Sequence, residues 1–257
     1  MTRLGKYNKK IYKKSIDGLS IIMTAYRSGR YIRQALDSLI RNTWILNNEN
    51  YEILVGIDGC QETLDEVLRI KDEFSNVRFY HSDTNVGTYV LSNSLLLKCR
   101  YEYVLRFDSD DIAFPFMMDT IMGNLYDEKN NKYDMLRFKF QNFYEDNTAI
   151  RKSVKYLSAG CIVYRRETVI RYGGYLPWIC GADTELIERL KSVIRIKAIV
   201  NELLLRRKHG NSLTESKETG IGSELRINTL KDVHNNHDNG ITTIEMVSTE
   251  LTEINND

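Results

Sequence analysis

A chain of 257 residues, 42% hydrophobic and 28% charged, can bury a sizeable core as one large domain or a domain with a small extension. Its formal net charge of +1 offers no basic excess for nucleic acid, which is excluded as an expected partner. Cys60, Cys99, Cys161 and Cys180 form no C-x-x-C pair, which argues against a zinc or redox motif and for buried free thiols in a reducing cytosol.

Residues 1–15 carry Arg3, Lys6, Lys9, Lys10, Lys13 and Lys14 before any acid. They read as a solvated basic arm, with an anionic membrane or lipid-phosphate surface as the alternative contact. No apolar run approaches the roughly 18 residues that span a bilayer, and the N-terminus lacks a signal-peptide core. A soluble cytoplasmic protein is expected, peripheral to a membrane at most.

Leu19 to Tyr26 ("LSIIMTAY") has strand length and composition, and Ile32, Leu36, Leu39 and Ile40 then recur at helical spacing. Tyr51 to Ile57 predicts a second strand closed by Asp58-Gly59, and Leu64, Val67, Leu68 and Ile70 a second helix. Val77 to Tyr80 predicts a third strand, followed by a loop with Asn85 and Gly87 and a helix over 88–99. Tyr101 to Phe107 predicts a fourth strand. Such alternation implies an α/β fold, a mostly parallel sheet with helices on both faces, whose ligands bind beyond the carboxyl ends of the strands.

The fourth strand ends in Asp108, Asp110 and Asp111. In extended backbone, residues two apart face the same side, so Asp108 and Asp110 can address one ligand. Adjacent carboxylates repel unless a cation joins them, and Mg²⁺ or Mn²⁺ would keep positions open for phosphate oxygens. The alternative is structural: Asp110 or Asp111 caps a helix beginning near Pro115. Arg106, inside the apolar strand, needs a carboxylate or phosphate partner.

In chain order, "LSIIMTAYRSGRYIRQALDSL", "YEILVGIDGC", "TNVG", "VLRFDSDDIAFP", "GCIVYRRETVIRYGGY", "CGADTELIERL" and "RRKHGNSLT" together resemble family 2 glycosyltransferases with the GT-A fold. The resemblance covers Leu19 to about Thr214 and implies an inverting enzyme that moves a sugar from a nucleotide diphosphate, a UDP-sugar favoured, to a glycan, lipid-linked or other hydroxyl acceptor. It implies donor contacts from Thr24, Tyr26, Asp58, Asn85, Gly87, Arg106 and Asp108, and a divalent cation held by Asp108 and Asp110. His209 is a further ligand or diphosphate contact, with a plain loop histidine as the alternative. Asp183 is the expected base, with Glu185 as its rival, and Trp178 a stacking platform for the acceptor.

Three motifs depart from the family pattern. The usual Asp-Asp-Gly-Ser reads Ile57-Asp58-Gly59-Cys60, the Asn after the first-strand Tyr is Arg27, and the Glu-Asp pair is Ala182-Asp183. A degenerate carbohydrate- or nucleotide-binding module and an Asp-x-Asp phosphatase are the rival readings. The organisation expected is a basic arm over 1–15, a GT-A domain over 16–214 and a polar, acidic extension over 215–257 that buries little core, with "SELRINTLKDV" its best helix and a second subunit a candidate partner.

Overall fold

In β1 (Leu19–Ala25) Ile21, Ile22 and Met23 are all buried, so the strand is covered on both faces, as its continuous apolar run requires. The computed structural model describes residues 17–126, 129, 132–144, 152–210 and 212–255; the arm expected over 1–15 lies outside them. β1 pairs in parallel with β2 (Tyr51–Asp58) on one side and β4 (Tyr103–Asp108) on the other, and β3 (Val77–Ser82) continues in parallel beyond β2. The register sets Thr24 beside Gly56 and Asp108, so the carboxyl ends of three strands meet at one edge.

Helices fill the crossovers. α1 (Gly29–Ile40) buries Tyr31, Ile32, Ala35, Leu36 and Leu39 along one face, the expected amphipathic pattern. α2 (Thr43–Leu46) and α3 (Gln61–Ile70) follow, and α4 (Thr88–Lys98) links β3 to β4. Residues Tyr89 to Leu96 of α4 are all buried, Ser92, Asn93 and Ser94 included, because the helix is covered on all sides. Asn93 repays this burial with hydrogen bonds to Tyr175 and to the Val247 carbonyl.

The second half adds β5 (Ile112–Ala113), α5 (Met117–Asn124), β6 (Met135–Tyr144), β7 (Lys152–Ser153), β8 (Ile162–Arg165), α6 (Arg166–Arg171), α7 (Ala182–Leu190), β9 (Ile196–Lys208), α8 (Glu224–Asp238) and β10 (Thr252–Ile254). The described strands form one sheet in the order β10-β3-β2-β1-β4-β8-β6-β9-β5, with β7 on β6. β8 runs antiparallel to β4 and β6, whereas β6 and β9 are parallel. This is the α/β architecture expected, with its parallel core in β3-β2-β1-β4. Among the described residues no helix is long and apolar enough to cross a membrane.

The stretch beyond 214 corrects the expectation of a loose extension. α8 does form, but it packs on α7, and residues 241–255 return across the molecule to add β10 antiparallel to β3. Gly173 and Gly174 have φ of +90° and +68°, and a Cβ at Gly173 would lie 2.0 Å from the Ile244 carbonyl oxygen. This close approach of backbone to backbone is what the glycine pair permits. Met246 and Leu251 pack against the core.

The rival acid Glu185 also belongs to this packing. It pairs at 2.7 Å with Arg189, both side chains being 1% exposed, and Arg189 donates to the carbonyls of Tyr172, Gly174 and Thr242. Burial pushes the Glu185 carboxyl up against the opposing pull of Arg189. Arg189→Met is expected to destabilise the protein by about 3–5 kcal/mol, since it leaves a buried acid and several carbonyls without their partner. Urea unfolding measures this; a midpoint shift too small for about 1 kcal/mol would show that the pair is dispensable.

Candidate active site

The loops beyond β1, β2 and β4 open into a cleft of about 990 Å³. At the end of β1, Thr24 Oγ1 lies 2.6 Å from Thr88 Oγ1, and half-exposed Tyr26 carries the Arg27 guanidinium over its ring at 5.1 Å. Arg27 has φ +52°, a region where Asn is enriched among non-glycine residues, and its N–H donates to Cys60 Sγ at 3.3 Å. Arg27 thus holds a left-handed turn position at the end of β1. Cys60 is half-buried rather than buried like the other three free thiols.

Asp58 lines the cleft, but its two oxygens accept the N–H groups of Val86 and Gly87 at 2.7 and 3.1 Å. Burial pushes its carboxyl up while these bonds oppose the shift. By this geometry Asp58 shapes a turn, fixing the loop that presents Asn85 and Gly87 to the cleft.

Arg106 finds its carboxylate partner in Asp108, at 3.2 Å. Its Nε and Nη2 also donate to Ser92 Oγ and Thr88 Oγ1 at 3.3 and 3.1 Å, and its Nη1 to the Gly160 carbonyl. Burial alone would weaken its charge; Asp108 and neighbouring oxygens outweigh that and hold it firmly cationic. The Asp108 carboxyl is in turn pushed up by burial, with Arg106 opposing.

Asp110 and Asp111 part company. Asp110 Oδ2 lies 2.8 Å from His209 Nε2, and the His209 ring rests on Tyr31 with centroids 4.8 Å apart. Asp111 is buried and accepts the Arg207 N–H at 3.0 Å; burial and the charges of Asp110 and Asp108 push its carboxyl well up. α5 begins only at Met117 with Phe116 at its cap, so neither aspartate caps it. The capping alternative is thereby removed.

Asp110 and His209 give one oxygen and one nitrogen donor on the same wall, and Asp108 a second carboxylate, a set that suits Mn²⁺ or Mg²⁺. His209 Nδ1 is buried without a partner among the described residues. Among the described residues no three His, Cys, Asp or Glu side chains come together so as to hold a metal ion by themselves. Protein ligands so few leave room for phosphate oxygens.

Asp183 stands in the first turn of α7, after Gly181 at φ +82°. Its Oδ1 accepts the Tyr89 hydroxyl at 3.2 Å and the Thr184 N–H at 2.8 Å. A Cβ at Gly160 would lie 3.1 Å from Asp108 Oδ2 and 3.6 Å from Asp183 Oδ2, so the two carboxylates border one space that the glycine leaves open. Trp178 lines the same cleft. Glu185 does not: two residues on, it is turned roughly 200° around the helix axis and faces the core.

Part of the cleft lies where the sequence gives no sign of it. Ser216, Glu218, Thr219, Ile221 and Arg226 form one wall, beyond the expected boundary at 214. Arg226 secures it by donating to the carbonyls of Thr219 and Leu213 at 2.7 and 3.0 Å. A run of Ser, Thr and Gly signals turns but not which cavity they border. Arg137 lines the cleft as well, half-buried, with donations to the carbonyls of Ser158 and Leu157.

Comparison with known proteins brings these features together. A sequence model described as glycosyl transferase family 2 matches residues 20–173. The O-antigen biosynthesis glycosyltransferase WbnJ of Escherichia coli is 24% identical over 106 residues, 40% of each chain. The chondroitin synthase of Escherichia coli is 27% identical over 116 residues, 45% of this chain and 16% of the relative. The chain thus spans about two fifths or less of the length of these relatives. Among solved structures, S. aureus TarS 1-349 in complex with UDP-GlcNAc superposes with a TM-score of 0.61 at 18% identity, over 76% of this chain and 60% of that one. The mannosyltransferase PcManGT from Pyrobaculum calidifontis, in complex with GDP-Man and Mn²⁺, gives 0.59 at 14% identity over the same shares.

Proposed function

The chain belongs to glycosyl transferase family 2, and from that membership we propose that it transfers a sugar from a nucleotide diphosphate, a UDP-sugar in the first instance, to an acceptor hydroxyl with inversion. The observation that carries this reading is the convergence of Asp108, Asp110 and Asp183 on one cleft at the strand ends. The UDP-GlcNAc complex of TarS favours a uridine donor, and the Mn²⁺ in PcManGT favours a divalent cation.

In this reading the nucleotide lies over the ends of β1 and β2, bordered by Thr24, Tyr26 and the loop that Asp58 holds. Its diphosphate faces Asp108, Asp110 and His209. Asp110, with His209 beside it and Asp108 helping directly or through water, would hold Mn²⁺ or Mg²⁺, which supplies Lewis-acid stabilisation to a departing diphosphate. Arg106 keeps Asp108 oriented from beneath. Asp183 takes the proton of the attacking hydroxyl. Asp58 and Asp111 are occupied by backbone N–H groups. With Asp183 as the base and no carboxylate assigned as nucleophile, the reading is a single displacement. Trp178 offers its ring to the acceptor, which is a glycan or another polyhydroxylated molecule.

A thermal-shift panel of UDP-glucose, UDP-galactose, UDP-GlcNAc, GDP-mannose and the free nucleotides, each with and without Mn²⁺, tests the reading. Ligand at about 100 times its Kd raises stability by about 2.7 kcal/mol, a readily seen shift. A Mn²⁺-dependent rise with at least one sugar nucleotide is expected. No response to any of them would overturn the donor assignment.

A further inference from the structure

We propose that Tyr89 is a positioning residue for the base, fixing the Asp183 carboxylate so that one oxygen faces the acceptor. The assignment rests on the reading of Asp183 as the base. Tyr89 is the second residue of α4 and Asp183 the second of α7, and the buried residues of the two helices share one hydrophobic cluster. The Tyr89 hydroxyl and the Thr184 N–H both donate to Oδ1. Oδ2, which accepts no bond among the described residues, borders the space over Gly160 together with Asp108 Oδ2. Two donors on one oxygen fix the plane of a carboxylate, and fixed geometry at the reacting atoms is a large part of what an enzyme supplies.

The surroundings of Tyr89 show that its hydroxyl remains a donor and its ring stays in place. Tyr89 is 4% exposed, its ring lies 5.6 Å from that of Tyr175, and the Arg106 guanidinium sits 5.7 Å from its centroid. Burial, reinforced by the Asp183 charge, pushes the phenol well above its ordinary value, so it is protonated throughout the working range. The neighbouring Thr88 bonds Thr24 at the end of β1 and Arg106 beneath Asp108. One turn of α4 therefore reaches the donor strand, the Asp108 anchor and the base. The link makes the alignment of the base depend on the same helix start that borders the nucleotide.

Tyr89→Phe removes only the hydroxyl and retains the ring packing. With the UDP-sugar that gives turnover in the thermal-shift panel's donor set, kcat is expected to fall about tenfold while KM for the donor stays unchanged. The deciding measurement is the cycle with Asp183→Asn. If Tyr89 works through the base, Tyr89→Phe in the Asp183→Asn background causes no further loss, because the group it aligns no longer accepts a proton. A kcat for Tyr89→Phe equal to that of the parent, a rise in donor KM without loss of kcat, or a multiplicative loss in the double variant would overturn the assignment. Normal turnover in Asp183→Asn alone would instead remove the base reading itself. Unfolding midpoints of the three variants against the parent separate a misfolded chain from a misaligned base.

Discussion

Asp183→Asn lowers kcat by roughly 10²- to 10⁴-fold, the usual contribution of general-base catalysis, and leaves sugar-nucleotide affinity intact. The geometry makes this a clean experiment. Asn retains an Oδ1 for the Tyr89 hydroxyl and the Thr184 N–H, and it is as good a residue as Asp near a helix start. What it loses is the lone pair that accepts a proton on the free oxygen beside Gly160. Glu185→Gln is the matched control: its side chain lies in the core against Arg189, so its effect should fall on stability and not on kcat. Turnover and nucleotide-sugar binding measured on both variants suffice, and an unaltered kcat in Asp183→Asn would put the base elsewhere.

Asp110→Ala is expected to remove divalent-dependent turnover, a loss on the order of 10²- to 10³-fold or more, since charge developing on the leaving diphosphate loses its preorganised counter-charge. Asp110 is the better of the two strand-end aspartates for this test. Its partner is His209 at the cleft, whereas Asp108 neutralises the buried Arg106, so that Asp108→Ala leaves an unpaired cation and combines a stability loss with a catalytic one. Binding of UDP followed calorimetrically with Mn²⁺, and again with chelator, provides a readout separate from turnover. In the parent the two titrations should differ; in Asp110→Ala they should coincide. Full activity of Asp110→Ala in chelator would dismiss the metal assignment.

The sequence and the structure agree best where a pattern is local. Strand-length apolar runs closed by turn residues predict β1 to β4, and the step from Phe107 to Asp108 marks the point at which a buried strand meets the cleft. The pairing of Asp110 with His209, nearly a hundred residues apart, is not a local signal; there the likeness to a family supplied what periodicity lacks. Glu185 shows the limit in the other direction. Both acids lie in the first turn of α7 and the likeness to the family only favours Asp183; the side on which α7 meets the core is what takes Glu185 out of the cleft. The returning C-terminal stretch was illegible for a different reason: it is held largely through backbone groups, by Asn93 on the Val247 carbonyl, Arg189 on Thr242 and the β10 ladder, and backbone carbonyls are the same in every residue.

That stretch also bears on how the chain behaves at high concentration. At the far end of the sheet β5 is only two residues long and pairs with Leu204 and Leu205 of β9. The other end would be β3, six residues rich in aromatic side chains, were Phe79, Tyr80 and His81 not paired with Ile254, Glu253 and Thr252. β10 is thus a guard strand: it satisfies the exposed ladder and sets Glu253 against Arg78 at its outer face. A chain in which it detaches presents a free template for edge-to-edge aggregation, the hazard that sheets ending in long unpaired strands carry.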